Sequence, residues 1–207
     1  MNKTKIKICG ISRMEDVYTV NRVLPDFIGF VFAPSKRRLE IDAAARLKEK
    51  LEPQIDVVGV FVNEDIDVIA RIYREGIIDL VQLHGDENGE YIRRLKDTCG
   101  CRVIKAVGVG NALPVLPVDA DHMLFDSISK QRGGAGKAFD WELLEGFHGP
   151  PFFLSGGLSA DNVLGAIRLL APYCVDVSSG VETDGVKDAE KIEKFIDLIR
   201  KGGIDNE

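Results

Sequence analysis

The chain has 207 residues, a net charge of −6 and 45% hydrophobic residues, so we expect residues 1–207 to form one globular domain. An acidic chain without clusters of Lys and Arg between aromatic residues argues against nucleic-acid binding. No apolar run approaches the roughly 20 residues of a membrane span, and the first residues contain no apolar targeting segment. We therefore expect a cytoplasmic protein that binds neither nucleic acid nor a membrane.

Eight short apolar runs predict eight β-strands, and such runs are typical of parallel strands that are buried on both faces. Between most of them, apolar residues recur at helical spacing, as Ile192, Phe195 and Ile199 do near the C-terminus. This alternation predicts a parallel sheet, and eight units in 207 residues favour a (β/α)8 TIM barrel, with a doubly wound sheet as the alternative. The predicted strands are Lys5–Cys9, Phe27–Phe32, Val57–Val62, Leu80–Leu83, Arg102–Ala106, His122–Phe125, Phe152–Leu154 and Cys174–Val177.

Three polar residues mark predicted helix starts. Ser12 is followed three residues later by Glu15, which is the spacing of a capping box. Asn63 and Ser159 each follow a predicted strand, where N-cap residues are common. We expect helices to begin directly after these three positions.

Glycine-rich segments follow the last three predicted strands. Strand 7 runs into Ser155-Gly156-Gly157 and strand 8 into Ser178-Ser179-Gly180, and the exits of these two strands commonly hold a phosphate in (β/α)8 barrels. Without a Cβ, glycine lets backbone N–H groups turn toward a bound anion. The segment Gly133-Gly134-Ala135-Gly136-Lys137 is typical of a phosphate-binding nest or of a mobile lid. These segments predict a phosphorylated small molecule as the ligand.

Two candidate reactive groups lie at strand ends, where barrel enzymes place their active sites. Cys9 ends strand 1, a position compatible with either a reactive thiolate or an inert buried cysteine. Asp126 directly follows strand 6 and is a candidate general acid or base, or alternatively a loop cap. The other cysteines, Cys99, Cys101 and Cys174, have the spacing of neither a zinc cluster nor a disulfide framework.

Three further polar segments are candidates for binding. The cations Lys36-Arg37-Arg38 follow strand 2 and form either a solvated face or a clamp for a carboxylate or phosphate. His84 follows strand 4 and is either an acid–base group or a residue hydrogen-bonded at the rim. Asp176 lies inside strand 8, where a buried carboxylate needs partners, so a hydrogen-bonding role is favoured over direct catalysis.

In their order along nearly the whole chain, these segments resemble the phosphoribosylanthranilate isomerase family of tryptophan biosynthesis. The resemblance depends on the ordered set rather than on any single motif. One departure is Ala135, which stands where the family often has Ser or Thr. The similar stretches are Lys7–Ile11, Gly29–Phe32 with Ser35-Lys36-Arg37, Val58–Asn63, Val81–Gly85, Gly133–Lys137 with Phe139-Asp140-Trp141, Leu154–Leu158 and Val175–Glu182.

The resemblance implies an Amadori rearrangement of N-(5-phosphoribosyl)anthranilate to 1-(2-carboxyphenylamino)-1-deoxyribulose 5-phosphate without a metal or organic cofactor. By position, it implies Cys9 as the general base at sugar C2 and Asp126 as the general acid on the ring oxygen. Arg37 is similar to the residue that holds the anthranilate carboxylate, although Arg38 beside it leaves a one-residue alternative. The remaining implied substrate-binding residues are His84, Gly134, Gly136, Gly156, Gly157, Asp176, Ser179 and Gly180.

This chemistry sets requirements on the two reactive groups. The pKa of the Cys9 thiol must be lowered and that of the Asp126 carboxyl raised toward the working pH. Two alternatives stay open at this stage. One is another phosphate-binding barrel enzyme, such as an indole-glycerol-phosphate or thiamine-phosphate synthase, and the other is a non-catalytic barrel that binds a phosphometabolite. The sequence leaves the oligomeric state open.

Overall fold

The computed structural model describes residues 3–113, 116, 119–127 and 139–202. Eight parallel strands form a closed barrel in chain order, since β1 pairs with both β2 and β8. This closure confirms the predicted (β/α)8 barrel and excludes the doubly wound sheet. That residues 1–207 form one domain stays a prediction. The barrel strands are Lys5–Cys9 (β1), Phe27–Val31 (β2), Asp56–Phe61 (β3), Leu80–Leu83 (β4), Val103–Val109 (β5), His122–Ser127 (β6), Phe152–Leu154 (β7) and Cys174–Val177 (β8).

Helices connect most of these strands. Between β5 and β6 the described residues contain no helix, and a short 3-10 helix, Trp141–Leu144, precedes β7. A second 3-10 helix, Ser179–Val181, and a small hairpin of Glu182–Thr183 (β9) and Val186–Lys187 (β10) follow β8. No helix in the described ranges is long and apolar enough to cross a membrane. The α-helices are Met14–Val23 (α1), Ile41–Lys48 (α2), Ile66–Arg74 (α3), Gly89–Cys99 (α4), Val163–Leu170 (α5) and Ala189–Gly202 (α6).

The predicted capping box of α1 is wrong by one residue. The N-cap is Arg13, and the carboxylate that closes the box belongs to Asp16. Asp16 Oδ2 accepts hydrogen bonds from the backbone nitrogens of Ser12 at 3.0 Å and Arg13 at 3.1 Å. Because the buried carboxylate of Asp16 binds two otherwise unpaired N–H groups, it prevails over the spacing of Ser12 and Glu15.

The other two predicted N-caps are also displaced. The N-cap of α3 is Asp65, whose side chain accepts from the backbone nitrogen of Asp67. Asn63 instead adopts a left-handed backbone conformation with φ 51°, which asparagine tolerates in turns. Ser159 opens a turn, and α5 begins only after Asn162. In both cases a turn separates the strand from its helix, so local spacing misplaced the helix start.

Strand pairing places alternate side chains inside the barrel. Near the strand starts the interior is apolar. Toward the strand ends the inward-facing side chains become polar, because Lys7 pairs with the inward-facing Phe27. Three more polar residues each lie two positions after an inward-facing apolar residue of the same strand, and they are Gln82, Asp126 and Asp176. Pairing extends β6 to Ser127, so Asp126 lies within a strand and not after it. The inner apolar cluster contains Phe27, Val58, Leu80, Ile104, Ala106, Leu124, Phe153 and Cys174.

Candidate active site

A buried ammonium group lies in the centre of the polar half of the barrel. Lys7 is fully buried, and its Nζ donates to Asp176 Oδ2 at 2.8 Å and to Gln82 Oε1 at 2.7 Å. Burial opposes the charge, but the Asp176 carboxylate more than offsets this effect, and the pKa of Lys7 is raised. Lys7 is therefore a permanent positive charge that three strands share.

Cys9 lies two residues beyond Lys7 on the same inner face, at the mouth of the barrel. A Cβ on Gly29 would lie 2.7 Å from the Cys9 sulfur, so glycine at that position leaves the space that the thiol occupies. Burial raises the pKa of the Cys9 thiol, and the ammonium groups of Lys7 and Lys187 reduce this rise without reversing it. The expectation of a lowered thiol pKa is therefore wrong for this structure.

Asp126 is the second reactive group at the mouth. Its side chain is buried, and Oδ1 accepts a hydrogen bond from the backbone nitrogen of Ser127 at 2.7 Å. Burial raises the pKa of Asp126 to about 6, the nearby Asp176 carboxylate adds to this, and the Ser127 N–H and Lys7 oppose it. The direction is the one expected of a general acid that operates near neutral pH.

A polar chain links Lys7 to Asp126 across the mouth. Gln82 Nε2 lies 3.0 Å from His84 Nδ1, and His84 Nε2 lies 3.6 Å from Asp126 Oδ2. Neither Lys7 nor Gln82 is among the site residues predicted from the sequence. The period of two along a strand could have identified them, because Lys7 precedes Cys9 by two residues in β1, and Gln82 in β4 precedes His84, directly after that strand, by two.

Arg37 is held at the mouth by the carboxylate of Glu182, which is not among the site residues predicted from the sequence. Its Nε and Nη2 donate to the two oxygens of Glu182 at 2.6 and 2.8 Å, and Lys187 Nζ donates to Glu182 Oε1 at 2.8 Å. Burial opposes ionisation of Glu182, but Arg37 and Lys187 outweigh it and lower the pKa of Glu182 to about 2. Glu182 binds the edge of the guanidinium that Nε and Nη2 form. The second edge, formed by Nη1 and the other N–H of Nη2, is not used in this ion pair.

The two cations beside Arg37 differ from it in exposure. The Lys36 side chain is 58% exposed and reaches Glu182 at 3.3 Å, and the Arg38 side chain is 52% exposed and reaches Glu40 at 3.4 Å. The Arg37 side chain is only 17% exposed. Of the adjacent arginines, Arg37 is therefore the one placed to bind a ligand inside the mouth.

The glycine-rich exits adopt backbone conformations that L-residues rarely use. Gly156 and Gly157 have φ of 85° and 69°. A Cβ on Gly156 would lie 2.8 Å from Asp126 Oδ1, and one on Gly180 would clash with the Leu158 carbonyl oxygen. Among the backbone hydrogen bonds between described residues outside helices and strands, none uses the N–H of Gly156 or Gly157. The predicted Gly134 and Gly136 lie outside the described residues.

Asp176 presents a second oxygen to the barrel interior. Oδ2 pairs with Lys7, whereas Oδ1 is buried without a hydrogen-bond partner in the described part of the chain. A buried acceptor of this kind is costly unless a ligand satisfies it. Within the same ranges, no group of three or more His, Cys, Asp or Glu is placed to hold a metal ion, and the expected absence of a metal or cofactor stays a prediction.

A carboxyl that titrates near neutrality, a thiol, a guanidinium edge and the glycine-rich exits therefore lie at one barrel mouth. Comparison of the whole chain with known proteins identifies its family. The model of the family described as N-(5'phosphoribosyl)anthranilate (PRA) isomerase matches residues 6–198. An N-(5'-phosphoribosyl)anthranilate isomerase from Endomicrobium trichonymphae is 50% identical over 197 residues, which cover 95% of this chain and 98% of that protein.

Solved structures give the same result. Phosphoribosyl anthranilate isomerase from Thermotoga maritima aligns with a TM-score of 0.84 and 36% identity over 96% of this chain and 99% of that one. A phosphoribosyl anthranilate isomerase in complex with reduced 1-(o-carboxyphenylamino)-1-deoxyribulose 5-phosphate aligns with a TM-score of 0.82 and 35% identity over the same shares. A thiamine phosphate pyrophosphorylase from Pyrococcus furiosus, at 16% identity and a TM-score of 0.64, shares the fold alone.

Proposed function

The chain belongs to the N-(5'-phosphoribosyl)anthranilate isomerase family and is an isomerase of tryptophan biosynthesis, and on this premise we propose that it rearranges its substrate by general acid–base catalysis between Asp126 and Cys9. The substrate is N-(5-phosphoribosyl)anthranilate, and no metal or organic cofactor takes part. The cytoplasmic location expected from the sequence stays a prediction.

Asp126 acts in the first step. Its carboxyl proton passes to the furanose ring oxygen, the bond from C1 to that oxygen breaks, and the nitrogen lone pair forms a C1–N double bond. The carboxylate left on Asp126 is stabilised by the backbone N–H of Ser127. A carboxyl with a pKa of about 6 is acidic enough to donate this proton and basic enough to be recharged near neutral pH.

Cys9 acts in the second step. Its thiolate removes the proton from C2, the electron pair forms a C1–C2 double bond, and the C1–N double bond returns its pair to nitrogen. The resulting enolamine becomes the amino ketone when a proton moves from O2 to C1. The thiol is mostly protonated near neutral pH, because burial raises its pKa. The reactive state, with Asp126 protonated and Cys9 ionised, is therefore a minority of the free enzyme.

The remaining residues bind the two charged ends of the substrate. The free edge of Arg37 takes the anthranilate carboxylate as a bidentate pair. The backbone N–H groups at Gly156, Gly157, Ser179 and Gly180 take the phosphate, with Gly134 and Gly136 added on the basis of the family resemblance. Asp176 Oδ1 accepts from a sugar hydroxyl, and His84 lies beside Asp126.

The single observation that carries this proposal is the placement of Cys9 and Asp126 on inward faces at the ends of β1 and β6, with the pKa of Asp126 raised to about 6. The active site of a (β/α)8 barrel lies at these strand ends. A structural carboxylate gains nothing from a pKa near neutrality, whereas a general acid requires it.

The test is turnover of phosphoribosylanthranilate, followed by the loss of its anthranilate-type fluorescence, together with binding of a reduced product analogue. Arg37→Ala is expected to weaken analogue binding by about 10²-fold, because a charge-assisted bidentate pair is lost. Arg38→Ala is the matched control and is expected to change binding less than about threefold. Analogue binding without turnover by the wild-type protein would favour the non-catalytic barrel and refute the proposal.

A further inference from the structure

Gln82 occupies a buried position between two groups of the proposed site, although none of the chemical steps needs its amide. It lies on the inner face of β4 with 2% of its surface exposed. On one side its Oε1 is 2.7 Å from Lys7 Nζ, and on the other its Nε2 is 3.0 Å from His84 Nδ1. The amide therefore connects a fixed positive charge to the histidine beside Asp126.

The orientation of this amide follows from Lys7. An ammonium group has donors and no acceptor, so the amide oxygen must face it. Lys7 is fully buried and keeps its charge because Asp176 pairs with it at 2.8 Å. The reversed amide would direct its NH2 group at the ammonium, and two donors would then face each other in a buried place with no acceptor between them. The NH2 group of Gln82 is therefore directed at His84.

The protonation of His84 follows in turn. Because the amide nitrogen can only donate, His84 Nδ1 must accept, and the ring carries its single proton on Nε2. That nitrogen lies 3.6 Å from Asp126 Oδ2. We infer that Gln82 is a positioning residue that holds His84 neutral as its Nε2–H tautomer and thereby directs a hydrogen-bond donor at the carboxyl of Asp126.

This assignment rests on the proposed function, in which Asp126 is the general acid. As its proton leaves, negative charge develops on a carboxylate whose Oδ1 already accepts from Ser127. A neutral N–H directed at Oδ2 stabilises that charge as it forms. An imidazolium at the same place would favour the carboxylate before substrate binds and leave less of the acid form.

The other charges that face Asp126 do not replace this control. Lys7 on β1 favours the carboxylate and Asp176 on β8 disfavours it. These two charges are paired with each other at 2.8 Å, so their effects on Asp126 oppose one another. Among the described residues that face Asp126, His84, directly after β4, is therefore the neighbour whose protonation would change the net charge beside the acid.

Two variants of similar side-chain length separate the tautomer effect from simple loss of packing. Gln82→Glu replaces the NH2 group by an acceptor, so His84 Nδ1 must carry a proton, and the added negative charge favours imidazolium. Gln82→Met keeps the length and provides neither donor nor acceptor. The state of His84 is read from the ring-nitrogen NMR signals of the intact enzyme labelled with ¹⁵N at its three histidines, with His84→Gln identifying the signals.

In the wild-type enzyme at neutral pH we expect Nε2 protonated and Nδ1 unprotonated, and in Gln82→Glu we expect Nδ1 protonated. We expect kcat to fall about tenfold or more in Gln82→Glu and less in Gln82→Met, with KM within about threefold in both. The limb of the pH profile that belongs to Asp126 should move to lower pH in Gln82→Glu, because imidazolium favours the carboxylate.

Wild-type His84 protonated on Nδ1 would overturn the inference whatever the kinetics are. Unchanged kcat in both variants would also overturn it, because the tautomer would then have no effect on the acid. If Gln82→Glu does not fold, the NMR spectrum of the wild-type enzyme and the kcat of Gln82→Met still test the inference. Failure of the proposed function has a different signature, since wild-type enzyme would not turn over phosphoribosylanthranilate, whereas the NMR signals do not depend on activity.

Discussion

The two ends of the barrel interior are built from the same eight strands but contain opposite kinds of side chain. At the amino end, the rings of Phe27, Phe153 and Tyr173 pack with centroids 5.5 to 6.5 Å apart, and the Lys5 ammonium lies 5.2 Å from two of them. At the carboxyl end, the interior contains a fully buried lysine and the carboxylates of Asp126 and Asp176. The amino end therefore buries apolar surface, whereas the carboxyl end removes charged groups from water.

This difference separates stability from chemistry along the barrel axis. Burial of aromatic rings stabilises the fold, whereas the raised pKa of Asp126 means that its ionised form opposes folding. Barrel folds generally place catalysis at the carboxyl ends of the strands, so the amino end is free to be packed for stability alone. Substitutions at the two ends should therefore affect different measurements.

The largest expected effect is on stability at the amino end. Phe153→Ala removes a fully buried ring from the inner cluster and is expected to lower the free energy of unfolding by about 3–5 kcal/mol. Urea denaturation measures this loss. The exposed Leu169 provides a control, Leu169→Ala, with little expected change. A fall in kcat per folded molecule as large as that of an active-site variant would contradict the separation of the two ends.

The second-largest expected effect is a fall in kcat when Cys9, at the carboxyl end of the barrel, is replaced. Cys9→Ser replaces a thiol by an alcohol that barely ionises near neutral pH, and kcat is expected to fall by roughly 10² or more with product-analogue affinity within a few-fold. Steady-state kinetics and thermal unfolding are measured together, and the melting temperature should change little. Cys99→Ser, at the end of α4, is the matched control. Retention of most of kcat by Cys9→Ser would make His84 or Asp176 the next base to test.

A smaller effect of opposite sign is expected when the acid is removed. Asp126→Asn keeps the shape but cannot ionise, and it is expected to raise the free energy of unfolding at pH 8 by about 2–3 kcal/mol. The folded-state pKa of about 6 lies above the ordinary aspartate pKa of 3.8. The wild-type protein therefore loses stability as the pH rises from 3.8 to about 6, and it does not regain that stability at higher pH. The gain should therefore vanish near pH 3.5.

Chemical denaturation at several pH values measures this difference. Equal stability of wild-type and Asp126→Asn protein at pH 8 would mean that the Asp126 carboxyl is not strained by burial. The same residue should control kcat/KM, which is expected to rise with pH up to a limb near 6 and to fall only above the raised pKa of Cys9. Asp126→Asn should abolish the limb near 6.

The smallest expected effect is on the support of the carboxylate clamp. Glu182→Gln removes the opposite charge and, because the amide NH2 group cannot accept, one of the two hydrogen bonds that hold Arg37. The substitution is expected to raise KM about tenfold with kcat nearly unchanged. Glu40→Gln removes the partner of the exposed Arg38 and is the control. A larger effect on kcat than on KM would place Glu182 in the chemistry and not in binding.

The positions of the strands were readable from the sequence alone, whereas the three predicted helix caps were misplaced. The apolar runs predicted all eight barrel strands, with displaced ends where pairing extends β5 and β6 to Val109 and Ser127. The glycines after β7 and β8, and the positions of Cys9 and Asp126, follow from the same runs, because parallel strands expose their ends on one side of the barrel. The family resemblance added the proposed roles of these residues.

The ion pairs and pKa values of the site depend on closure of the barrel and were not readable from the sequence. The partners of Lys7 and Arg37 lie 169 and 145 positions away in the chain, and neither pairing has a local sequence signal. The rise of the Cys9 pKa was missed because it depends on burial and on the balance of Lys7, Asp176 and Lys187. Strand positions depend on short-range patterns of burial, whereas a pKa depends on every charge within reach, and those charges are brought together only by the tertiary fold.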